Sequence, residues 1–96
     1  MTPVEKLEME RRRGEDALHI VEHPLFNESI ETLKDAILKQ WAASPMRDIE
    51  GRESLHQMYR LVDSVKNNLV SIMQTGQMAS TQLIPAESRT RKLLEG

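Results

Sequence analysis

Cysteine is absent from all 96 residues, which removes disulfides, thiolate metal ligands and thiol nucleophiles together and leaves the fold to rest on packing. Aromatic side chains are scarce as well. Phe26, Trp41 and Tyr59 stand alone against six methionines, so the core must be aliphatic and adaptable. No apolar run approaches the ~20 residues of a membrane-spanning helix, and the charged opening from Met1 to Arg13 does not read as a secretory signal. A soluble intracellular protein with no membrane partner is expected. The net charge of −2 comes from 13 basic and 15 acidic residues and gives no global pull toward nucleic acid or anionic lipid, so any such contact must be local. The Gly-x-x-x-x-Gly-Lys phosphate loop is also missing.

What is present is helical periodicity. Leu55, Met58, Val62, Val65, Leu69 and Ile72 follow one another at steps of three and four residues, the spacing that keeps side chains on one seam of a helix. A second stripe, Phe26, Ile30, Leu33, Ile37 and Trp41, falls within roughly 80° of arc at 100° per residue. Together they predict an all-α protein: an antiparallel helical hairpin of residues 24–43 and 48–75, with an N-terminal helix over 1–22 and a C-terminal arm over 77–96. The hairpin core is placed at 23–76, and the arm is read as partly flexible or docked on a neighbour through Leu83, Ile84, Leu93 and Leu94. Thr2-Pro3 caps the first helix, His23-Pro24 breaks the chain, Ser44-Pro45 ends the second helix and Asp48 caps the third. Gly14 weakens the first helix, and Gly76 is expected to close the third in a left-handed conformation. Beside the seam, Tyr59, Leu61, Val70 and Met73 widen the apolar arc to roughly 180°. One antiparallel neighbour cannot cover so broad a surface. Either the first helix or another subunit must, and a homo-oligomeric helical bundle is the expected assembly.

Few residues carry chemistry. His19-Ile20-Val21-Glu22-His23 matches H-x-x-E-H, which sets two imidazoles one helical turn apart for zinc, yet Pro24 follows at once and no third ligand stands out. The two histidines read instead as helix-end groups whose positive form suits the C-terminal dipole. Arg11-Arg12-Arg13 is bracketed by Glu8, Glu10, Glu15 and Asp16, acids that can neutralise it at three and four residues' distance. Arg89, Arg91 and Lys92 are less compensated and are candidate contacts for phosphates or an acidic partner. Arg47 to Glu53 crowds charges around a helix start, where capping accounts for them. Trp41 and Tyr59 could form a ligand cage or fill the end of the hairpin. No catalytic residue, metal site or cofactor is expected, and the chain does not read as an enzyme.

The run Arg47-Asp48-x-Glu50-Gly51-Arg52-Glu53-x-Leu55, continued to Leu69 and then Thr75-Gly76-x-x-Ala79, resembles a recurring type of short tailed-bacteriophage protein of unassigned role. The likeness covers about residues 25–79. It implies a small helical structural or adaptor protein of the virion or of phage assembly, located in the bacterial host cytoplasm or the virion, with other phage structural proteins as partners. No catalytic or binding residue comes with it. Two further functions fit the sequence: a DNA-binding packaging component resembling a small terminase subunit, and a small inhibitor of a host protein. Oligomer number and partner identity are not written in the chain.

Overall fold

The computed structural model describes the backbone of residues 1–95 and the side chains of residues 1–84. It contains α1 (Pro3–Glu22), α2 (Pro24–Ala43) and α3 (Ile49–Glu95), and no strand among the described residues. The all-helical expectation holds.

Local chemistry explains the helix starts. The Thr2 Oγ1 accepts from the Glu5 amide at 3.1 Å while the Thr2 amide donates to the Glu5 carboxylate at 3.3 Å, a reciprocal capping box. The Gly51 amide donates to the Asp48 Oδ1 at 3.0 Å. His23 caps α2 from an extended conformation, its Nδ1 accepting from the Leu25 amide at 3.1 Å. His23 thus serves the start of α2. Asn27 locks the same corner by donating to the carbonyls of Val21 at 2.7 Å and His23 at 3.2 Å.

The third helix does not close at Gly76. It runs unbroken for 47 residues, from Ile49 to Glu95, and no described glycine has a positive φ. The expected arm over 77–96 is therefore helical through Glu95. Gly76 was read as a stop because glycine favours left-handed closures, but its missing side chain serves a different purpose.

The chain divides into two compact units, Met1–Ile20 with Leu69–Gly96, and Val21–Asn68. In the first, a Cβ placed on Gly14 would sit 2.6 Å from the Gly76 Cα, and one placed on Gly76 would sit 2.6 Å from the Gly14 Cα and 2.9 Å from the Glu10 carbonyl oxygen. The backbones of α1 and α3 touch there. Each glycine is followed three residues later by an alanine, Ala17 and Ala79, and these are 2% and 1% exposed. Pro3 and Leu7 lie beside Ala79 and Gln82, and Leu18 beside Met73, so α1 and this part of α3 run in opposite directions. Leu83 completes the buried set. The two matched Gly-x-x-Ala segments make the crossing, each glycine giving up ~1 kcal/mol of helix propensity for close backbone contact.

In the second unit Ile30 and Ile37 of α2 are buried, with Phe26, Leu55, Tyr59 and Val62 half-buried. Lys66 reaches Asn27, Asp63 receives Lys34 and Arg52 reaches Ser44, so positions along α3 meet α2 in reverse order.

Candidate functional site

The α2-containing unit has two unlike sides. At 100° per residue, the charges of α2, namely Glu28, Glu31, Lys34, Asp35 and Lys39, fall within roughly 140° of arc. Those of α3 between Gly51 and Asn68, namely Arg52, Glu53, Arg60, Asp63 and Lys66, likewise fall within roughly 140°. The two arcs adjoin. Lys34 Nζ donates to Asp63 Oδ1 at 2.9 Å and sits 5.0 Å from the centre of the Tyr59 ring. Lys66 Nζ donates to Asn27 Oδ1 at 3.2 Å. One edge of the helix pair is thus closed by polar contacts.

The opposite edge carries none of these charges. On α2 it presents Leu25, Ser29, Leu33, Ala36 and Gln40, and on α3 Ser54, Met58, Leu61, Val65 and Asn68, all of them exposed. Leu33 is 53% exposed, Met58 49%, Leu61 66% and Val65 53%. These four side chains lie open on the side of the unit opposite the Lys34–Asp63 pair.

The Lys34 contact has a measurable consequence. The hydrogen bond it donates to Asp63, aided by Tyr59, raises the Lys34 pKa above the ordinary lysine value despite opposing desolvation. A raised lysine contributes its full stabilisation at neutral pH and loses it as pH climbs through the folded-state pKa. Wild type should therefore exceed Lys34→Met in urea midpoint near neutrality, and the gap should close in the alkaline range. An equal gap at both ends would contradict the assignment.

Toward the α2–α3 connection the charged side holds an open apolar cavity of about 270 Å³ lined by Ile37, Leu38, Trp41, Leu55, His56 and Tyr59. It joins the two aromatics singled out in the sequence, but not as an empty cage. The Arg52 guanidinium lies 4.2 Å from the Trp41 ring centre while Lys34 lies over Tyr59, so each ring already holds a cation of this chain. The same Arg52 donates to Ser44 Oγ at 3.3 Å.

The other sequence candidates separate. The six-residue seam of α3 is divided: Leu55 and Val62 lie half-buried in the α2 unit, Leu69 and Ile72 half-buried in the α1 unit, and Met58 and Val65 on the uncharged face. Within the α2 stripe, Ile30 and Ile37 are buried and Phe26 half-buried, whereas Leu33 and Trp41 are exposed, Trp41 at 43%. In the arginine cluster Arg11 bonds Glu15 at 2.9 Å and Glu8 at 3.2 Å, with Arg12 3.9 Å from Glu8. The hydrogen bond with Glu8 and the field of Glu15 raise the Arg11 pKa further, and Arg11 and Arg12 are paired within their own helix. His19 lies on α1 and His23 caps α2, and the described residues hold no group of three or more His, Asp or Glu arranged for a metal. The side chains of Arg89, Arg91, Lys92, Leu93 and Leu94 lie outside the described residues. No described helix is long and apolar enough to cross a membrane.

Comparison with protein-family models, with curated proteins and with solved structures finds no match to this chain. The uncharged face was missed in reading the stripes alone. The signal that finds it is the confinement of charge to one arc of α2 and, from Arg52 to Asn68, to one arc of α3, visible once Leu61 and Leu25 are counted on the side that Asp63 and Lys34 avoid.

Proposed function

We propose that this chain is a small oligomeric helical structural or adaptor protein, working by presenting helices to other subunits, and that it is a bacteriophage virion or assembly component. Its working element on this reading is the antiparallel hairpin of α2 and the first part of α3. One observation carries the proposal. Among the described residues only five apolar side chains are buried, Ala17, Ile30, Ile37, Ala79 and Leu83, while fifteen large ones are exposed and the others are half-buried, which leaves apolar surface open to partners. A helix pair with an exposed, largely uncharged flank offers shape and apolar area, which is the chemistry of assembly. The phage context rests on the likeness over residues 25–79.

Sedimentation equilibrium from low to high micromolar concentration tests the assembly reading. A mass rising to a multiple of the chain is expected. A folded monomer throughout would overturn it, and absence of the chain from purified phage particles would overturn the virion assignment.

A further inference from the structure

We infer that the uncharged face of the α2–α3 pair is the site at which a second copy of this chain docks, face to face, to close a four-helix bundle. The inference deepens the assembly reading and rests on it.

Charge argues for a copy as the occupant. In a two-fold interface each patch meets itself, so any unbalanced charge is set against its own like. A face meant for a foreign protein is free to carry complementary charges at its rim. From Leu25 to Gln40 on α2 and from Ser54 to Asn68 on α3 this one carries none, its exposed positions being Leu, Ser, Ala, Gln, Met, Val and Asn; the exposed Glu50, one turn before Ser54, is the charge that α3 sets at the end of the same side. The eight charges of the same two helical stretches are held on the other side, where Lys34 and Asp63 are already paired. Self-docking therefore sets no like charges against each other across the centre of this face, and its one end carboxylate, Glu50, is exposed.

Size agrees. Two helices about 20 residues long, each ~30 Å at 1.5 Å per residue and ~10 Å across, lie side by side as a face ~20 Å wide and offer a footprint of roughly 600 Å². Burying it on both copies gives about 1,200 Å², the lower bound for a specific stable interface. Texture agrees as well. Leu33, Met58, Leu61 and Val65 supply the apolar centre, Ser29 and Ala36 let a facing helix come near, and Gln40, Ser54 and Asn68 form a rim that can hydrogen-bond. Two helix pairs stacked in this way have the layer arrangement of a four-helix bundle, whose core the facing leucines would fill.

The test is sedimentation velocity on the full chain, with circular dichroism confirming helix content for each variant. Wild type is expected to dimerise in the micromolar range. Leu61→Lys and Leu61→Glu should each raise the dissociation constant on the order of a hundredfold through like-charge apposition, and mixing the two variants should restore the dimer because opposite charges then meet. Arg60→Gln, on the charged side, should leave association unchanged. If wild type associates but neither Leu61 variant weakens it, this face is not the interface and the inference falls while the assembly reading stands. If wild type stays monomeric and folded at high micromolar concentration, both fall. Should a Leu61 variant lose its helices, Met58→Gln and Val65→Gln take its place, with the same weakening expected.

Discussion

Gly14→Ala is expected to destabilise the protein, although the same change at an exposed helical position would stabilise it by up to ~1 kcal/mol. The new methyl would stand 2.6 Å from the Gly76 Cα, 3.2 Å from its amide nitrogen and 3.3 Å from the Ile72 carbonyl oxygen. All three are backbone atoms, so no rotamer change relieves the clash and the two helices must separate. Forced repacking of this kind costs about 1–3 kcal/mol, more than the propensity gained. Gly14→Val, bulkier and β-branched, should lose on the order of 3 kcal/mol or more, and Gly76→Ala should resemble Gly14→Ala because its Cβ would also stand 2.9 Å from the Glu10 carbonyl oxygen. Thermal unfolding reads the effect at roughly 4–8 °C per kcal/mol for a chain this size. A rise in melting temperature on Gly14→Ala would show that the helices do not touch there.

Truncating Ile37 should cost far more than truncating Leu33, although the two sit on one sequence stripe. Ile37 is 8% exposed and Leu33 is 53% exposed. Ile37→Ala leaves a void between α2 and α3 and should cost about 2–5 kcal/mol, a large part of the stability of any small domain. Leu33→Ala, measured at a dilution where the chain is monomeric, should cost less than about 1 kcal/mol, since little apolar area returns to water. Urea midpoints of the two variants decide it. Equal losses at low concentration would mean that Leu33 is covered within its own chain.

Much of the helical architecture was legible in the sequence because its signals are local. Thr2 with Glu5, His23-Pro24, Ser44-Pro45 and Asp48 each satisfy or remove backbone donors within a few residues, and the helices begin or end where these groups stand. The self-neutralising arginine cluster was legible for the same reason, being a matter of three- and four-residue spacing within α1. Gly76 was misread because a glycine looks alike whether the chain needs a left-handed closure or an absent Cβ. Which need applies depends on what lies opposite, and Gly14 is 62 positions away in the chain. The stripe of α3 also reads as one continuous seam. Yet its a-type positions Leu55 and Val62 are half-buried beside α2 while Met58 and Val65 are exposed, because the helix packs on one shoulder of the stripe, where Lys34, Asp63, Asn27 and Lys66 find partners.

The sequence by itself determined that this chain is helical, where its first two helices lie and where the third begins, since hydrophobic period and capping act over one or two turns. Tertiary structure alone decided that α3 continues past Gly76, that two Gly-x-x-Ala segments meet backbone to backbone, and which half of the apolar surface is left uncovered. Those outcomes depend on contacts between residues far apart in the chain, and such pairings leave no periodic mark on either segment.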